Sequence, residues 1–226
     1  MPDKLNRLNL RKMKLYILLF VFSALFLFSC RSKTPVRDNA GWVPSVSQQA
    51  TDSAKTRYGI KSGIIEYTSA MRGREARQKL SFDEFGREER IETETEVQGL
   101  KITTVSVEKD GYVYTFNPAT GRGTKVAQLG RQSYMINFRN LSDEMRRKMN
   151  LEITDTVIYD GKKCFRYTAD WVEMSMKGTY LVWQGIILNS DITVGNYSMQ
   201  MTATNITEDA ELPASLFNIP PGIKLN

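Results

Sequence analysis

Carboxylates, lysines and thiols remain as groups in this chain that could do chemistry, because its 226 residues include no histidine. That absence removes Ser-His-Asp and Cys-His catalysis, histidine-ligated zinc and imidazole proton shuttles. Two carboxylate sets stand out. Glu88, Glu92, Glu94 and Glu96, with Arg90 among them, recur at every second residue and so share one strand face. Arg77 and Lys79 on the preceding segment are spaced to answer them, which reads as a solvated charge ladder rather than a metal or acid/base site. Asp170 and Glu173 flank Trp171, whose apolar ring could raise a carboxyl pKa, but nothing in the spacing makes the two acids converge. The thiols are Cys30 and Cys164. Cys164 sits in an alternating stretch and reads as a small buried side chain, whereas Cys30 closes a long apolar run. With no nucleophile-base pair, enzymatic activity is not expected.

The run before Cys30, Leu15 to Phe28, follows Lys4, Arg7, Arg11, Lys12 and Lys14, with Asp3 the one acid. That is the pattern of a signal peptide. At about 1.5 Å per residue the run spans roughly 21 Å, short of the ~30 Å hydrocarbon core that a permanent transmembrane helix crosses. Leu27, three before the cysteine, and Ser29, directly before it, resemble the lipobox of bacterial lipoproteins. The resemblance implies cleavage before Cys30, diacylglycerol on its thiol and a further acyl chain on the new amino terminus. Two or more chains anchor stably, so a membrane is an expected partner through this anchor; no other cofactor is expected. Residues 1–29 are then the signal peptide, and residues 30–44, polar with two prolines, a lipidated tether. Arg31 rather than an aspartate after the cysteine implies, by resemblance to sorting rules, the periplasmic face of the outer membrane.

Residues 1–29 hold five of the 31 Lys+Arg and one of the 25 Asp+Glu, so the net charge falls from +6 for the whole chain to +2 for the remainder. The basicity belongs to targeting, and nucleic acid is not an expected partner. With Cys30 lipidated, Cys164 has no cysteine left to pair with.

These residues must be positioned by residues 45–226. Ser45–Tyr58, with Val46, Ala50, Ala54 and Tyr58 four apart, suggests a short amphipathic helix. After Gly59 the period changes to two, broken by turn signals such as Asp110-Gly111 and Asp160-Gly161. Connections so short make an antiparallel meander. Asn140–Asn150 interrupts it as a second helix, acidic at its start, basic at its end, with Leu141, Met145 and Met149 as its apolar stripe. The expected fold class is α+β, mainly antiparallel β: a strongly curved, incomplete barrel of about 10–11 strands with two helices on the concave side.

This organisation, with the closing Phe217, Pro220 and Gly222, is similar to the LolA/LolB type of lipoprotein carrier and acceptor. The phrases Ser62-Gly63-Ile64-Ile65-Glu66-Tyr67, Phe82-Asp83-Glu84-Phe85-Gly86, Lys163-Cys164 and Trp183-Gln184-Gly185-Ile186 look like those of uncharacterised Bacteroidetes envelope lipoproteins. What the resemblance implies is a LolA/LolB-like half-barrel over residues 45–226. Its aromatic and thioether inventory, Tyr67, Phe82, Tyr114, Phe165, Tyr167, Trp171, Met174, Met176 and Trp183, offers a lining for an acyl chain, a lipid or another lipoprotein's lipid. The same residues could instead fill a core, leaving a non-enzymatic adaptor that docks another envelope protein through a sheet edge or the Trp171 to Met176 loop.

Overall fold

The structure, a computed structural model, describes residues 56–71, 73–127 and 136–226. The expected signal peptide, the expected tether with Cys30, and most of the helix expected over Ser45–Tyr58 lie outside them. At the described end of that stretch, residues 56–58 are not helical.

Alternation and turn chemistry produce a meander of β1 (Gly63–Met71), β2 (Arg74–Asp83), β3 (Glu88–Val97), β4 (Leu100–Lys109), β5 (Tyr112–Asn117) and β6 (Arg122–Ala127). A second meander holds β7 (Glu152–Tyr159), β8 (Lys162–Trp171), β9 (Met176–Trp183), β10 (Ile186–Val194) and β11 (Tyr197–Glu208). Antiparallel pairing of β1 with β11 joins the two, and β12 (Lys224–Leu225) adds a short parallel strand beside β6. The result is an open 12-stranded sheet in the order β12-β6-β5-β4-β3-β2-β1-β11-β10-β9-β8-β7. Asp110-Gly111 and Asp160-Gly161 both adopt positive φ at each residue, as two-residue hairpin turns require.

Two expectations need correction. The described domain is mainly β rather than α+β, and it contains one α-helix, α1 (Asp143–Lys148), with two short 3-10 turns at Val172–Met174 and Ala214–Phe217. The strand count exceeds the expected ten or eleven because the C-terminal tail returns to pair with β6, a tertiary event with no local signature. Helix α1 begins where Ser142 accepts a hydrogen bond from Met145 N at 3.1 Å, with Asp143 and Glu144 in its first turn and Arg146, Arg147 and Lys148 in its last. Six residues are too few to be stable alone, so its flanks must anchor it. Phe138, Met149 and Leu151 do so, packing with Tyr167, Ala169, Tyr180 and Val182.

Strand β9 is buried on both faces: Tyr180 and Val182 point one way and Leu181 the other, and all three are inside. Leu181 belongs to a first core with Tyr58, Ile65, Tyr67, Leu80, Phe82, Cys164, Ile186, Leu188 and Ala203. A third, smaller core covers Val105, Val107 and Phe116 with Ile219 and Ile223 of the tail, which accounts for the closing Phe217 to Gly222 segment as packing.

Met149 is fully buried, so Met149→Ala should cost about 2–5 kcal/mol in urea unfolding. Leu100→Ala, at a side chain 70% exposed, should change stability by less than about 0.5 kcal/mol. Equal effects would contradict this account of how α1 is held.

Candidate functional site

The aromatic and thioether residues read from the sequence do not line one cavity. Tyr67 and Phe82 are buried in the first core, Phe82 against Tyr58 with ring centroids 4.3 Å apart, and Trp183 packs at that core's margin. Tyr167, Trp171 and Met176 meet in the second cluster, beneath residues 136–151. Tyr114 stands apart on β5, its ring centroid 6.2 Å from that of Tyr112, with Lys125 Nζ 3.9 Å from the Tyr112 ring and 5.4 Å from its own. Met174 is exposed on the turn after β8. Cys164 is buried with its Sγ 3.3 Å from Lys162 O, and burial pushes its thiol pKa up, the character of an inert core cysteine.

The second cluster has the geometry of a capped apolar site. Phe138 packs against both Tyr167 and Tyr180, which are paired across β8 and β9, with its ring tilted to each at centroid distances of 4.9 and 5.3 Å. Met145, Met149 and Met176 surround the rings, and Asp170 N donates to Met149 O at 2.8 Å, tying the cap to β8. Burial pushes the Tyr180 pKa up to about 12, so the hydroxyl stays neutral and the site is uncharged there. Trp171 keeps its indole Nε1 buried without a hydrogen-bond partner.

Beside this cap lies an exposed apolar strip that the sequence did not reveal. Strand β7 pairs Ile153 with Tyr167, Thr156 with Phe165 and Ile158 with Lys163, and its register shifts between Ile153 and Asp155. Five residues apart, Ile153 and Ile158 would point to opposite faces of a regular strand; the bulge puts both on the face of Phe165 and Tyr167. Ile153, Ile158 and Phe165 are 52%, 71% and 41% exposed. Three large apolar side chains therefore run along the sheet edge next to the capped Tyr167, and Phe165 is the one of them that the aromatic inventory contains.

The charged residues resolve into two kinds. Lys79 lies across from Glu92, Arg77 across from Glu94 and Lys101 across from Glu96, which makes the expected ladder. Asp170 pairs with Lys177 at 2.9 Å, while Glu173 is exposed on the following turn. Glu89, outside the ladder's alternation, is the acid that matters. It is 3% exposed and lies directly across from Glu108 on β4. Arg57 bridges the two, Nη1 donating to Glu89 Oε2 at 2.7 Å and Nη2 to Glu108 Oε2 at 2.9 Å. Glu89 Oε1 has no hydrogen-bond partner. Burial pushes the Glu89 pKa up to about 7, against the pull of Arg57 and with the repulsion of Glu108. Burial works against the Arg57 charge too, but Glu89 and Glu108 outweigh it and hold that pKa above its usual value. Tyr58 and Tyr67 border the carboxylate, and their hydroxyls are held neutral, chiefly by burial.

The described surface also carries two depressions. One, of about 530 Å³, is lined by Asp170, Val172, Ser175, Lys177, Thr193 and Gly195. The other, of about 670 Å³, includes Lys61, Asp83, Asp209 and Glu211 in its lining. Charged and hydroxyl side chains border both, so each suits an apolar ligand less than the strip does. Among the described residues, no helix is long and apolar enough to cross a membrane.

No protein-family model and no curated protein sequence matches the chain. Solved structures do. An uncharacterised conserved protein from Thermus thermophilus is similar with a TM-score of 0.52 at 11% identity, over 80% of this chain and 98% of that one. MucB is similar with a TM-score of 0.50 at 11% identity, over 78% of this chain and 63% of that one. A chain of the Pseudomonas aeruginosa MucA/MucB complex gives 0.48 at 10% identity, over 77% of this chain and 61% of that one. The chain thus spans less than two thirds of MucB, and the likeness is one of fold.

The buried acid makes stability depend on pH with a definite sign. Between the ordinary carboxyl range and about 7 the folded state binds the Glu89 proton more tightly than the unfolded chain. Its contribution is therefore full at acid pH and is lost as pH rises through about 7. Chemical denaturation from about pH 5 to about pH 8 should show a loss on the order of 1–3 kcal/mol in the wild type that Glu89→Gln largely removes. Equal slopes in the two proteins would refute the assignment.

Proposed function

We infer that this chain is a membrane-tethered lipoprotein of the cell envelope that binds an acyl chain, a lipid or the lipid moiety of another lipoprotein. In this reading Cys30 carries the anchor, and the domain works by binding rather than catalysis. The observation that carries it is the continuity of the exposed Ile153, Phe165 and Ile158 strip with the capped cluster around Tyr167. An extended hydrocarbon fits such a strip, because it gains from contact area without needing polar partners. The ligand end would then enter among Tyr167, Trp171 and Met176 as the cap yields, where flexible thioethers adapt to a chain of variable shape. Tyr67, Phe82 and Trp183 serve this site as core behind it. The mainly antiparallel open sheet shared with the Thermus protein and MucB is compatible with this use but does not specify it.

An adaptor function is the second reading, favoured by the position of β7 at the sheet edge. Such an edge can add a strand from another protein, although the bulge in β7 is a device that discourages it.

Titrating the purified full chain with a fluorescent fatty-acid analogue separates the two readings. Saturable binding is expected, weakened about tenfold or more by Phe165→Glu and also by Ile158→Glu, whose side chain is 71% exposed and should leave stability within about 0.5 kcal/mol. No binding, or binding indifferent to Phe165→Glu, would leave the adaptor reading.

A further inference from the structure

Residues 56–62 form a strap across one end of the sheet. Arg57 N and Tyr58 N both donate to Phe85 O, at 2.9 and 3.2 Å, and Phe85 N donates back to Lys61 O at 2.8 Å, so the strap is stitched to the turn between β2 and β3. Gly59 N donates to Gln184 O at 2.7 Å in the turn between β9 and β10, and Asp209 N donates to Ser62 O at 3.0 Å after β11. The approach is close enough that a Cβ at Gly185 would lie 2.2 Å from Arg57 O, and one at Gly86 would lie 2.7 Å from the Tyr58 ring. One short segment thus touches turns belonging to both meanders.

The same strap also reaches the cap. Asn137 Nδ2 donates to Thr56 O at 3.2 Å, and Arg139 Nη1 donates to Tyr58 O. These two bonds lie at the start of residues 136–151, whose side chains Phe138, Met149 and Leu151 cover the aromatic cluster. Helix α1 itself buries no residue fully, and between the two ends of the cap Leu141 and Met145 pack half-buried against the cluster. One end is tied to β8 through Met149 O and the other to the strap.

The geometry points to the strap as a latch: Arg57, locked between Glu89 and Glu108, fixes the backbone carbonyls of Thr56 and Tyr58 where Asn137 and Arg139 need them, and so holds the cap closed over the apolar cluster. Among the described residues, four groups face Glu89 and set the strength of the lock: Arg57 and Tyr58 from the strap, Tyr67 from β1 and Glu108 from β4. Arg57 is the sole cation among them, and its planar fork meets one carboxylate with each terminal nitrogen, a geometry that lysine cannot copy. Arg57 is in this sense a positioning residue for the cap. The proposal rests on the cluster being the binding site only for its functional meaning; the latch itself is a property of the free protein.

Hydrogen exchange on the full chain, followed by mass spectrometry and without any ligand, tests it. The double variant Asn137→Asp, Arg139→Ala breaks the two strap contacts, keeps the side-chain oxygen that accepts from the backbone N–H groups of residues 139 and 140, and leaves Arg57 with its carboxylates. Exchange at the Leu151 and Asp170 amides, which are bonded to Arg146 O and Met149 O, should accelerate about tenfold or more, while β3 and β4 keep wild-type protection. Arg57→Met should loosen the strap and the cap together. Unchanged protection of Leu151 and Asp170 in the double variant overturns the latch, as does an Arg57→Met protein whose strap exchanges fast beneath a cap that does not. If Arg57→Met fails to fold, the double variant alone decides. Fatty-acid titration of the same proteins is a separate readout: failure to bind would remove the lipid function and leave the latch standing.

Discussion

Two glutamates placed directly across a pair of antiparallel strands repel each other, and here the pair is largely shielded from water. Sheet pairing of β3 with β4 therefore carries a local electrostatic fault that the strands cannot repair by themselves. Arg57 repairs it from outside the sheet, and the backbone from Arg57 to Ser62 is hydrogen-bonded to the turns of both meanders. A buried ion pair of this kind is a weak source of net stability, because desolvation consumes most of the attraction. Its effect is specificity: a misplaced strap would strand two buried carboxylates without a cation, which costs far more than the pair contributes.

That constraint bears on the weakest feature of the topology. Each meander closes on itself through hairpins, but the two are joined through one strand pair, β1 with β11. The strap adds a second connection, from Phe85 on one side to Gln184 on the other. It also fixes the start of the cap, so the order of the aromatic cluster depends on charges in a different part of the sheet. Packing carries this dependence because Gly86 and Gly185 leave no space for the strap to shift.

Much of the β architecture can be read along the chain. Strand spans, the Asp110-Gly111 and Asp160-Gly161 turns, the Glu92 to Glu96 ladder with Arg77 and Lys79, and the capping charges of α1 are all written in local patterns of period two or four. The site is legible only in part. Tyr167, Trp171 and Met176 do come together, but Tyr67 and Phe82 fill the core and Tyr114 lies on another strand pair. Glu89 is hidden in the sequence because its neighbours Glu88 and Arg90 belong to an obvious charged row, and burial of a single acid leaves no mark on the alternation. Ile153 and Ile158 are hidden because only a bulge brings them to one face.

What the sequence by itself determined is whatever depends on neighbours a few residues apart: strand and turn, the charges of a short helix and the exclusion of histidine chemistry. What only the tertiary structure decided is which of these side chains share a space. Arg57 meets carboxylates 32 and 51 residues further on, and β1 finds β11 across the whole domain. One shift of register moves every later side chain to the other face. Contacts of that range depend on how the strands pair and on where a bulge resets the count, and neither is encoded in the composition or period of any single segment.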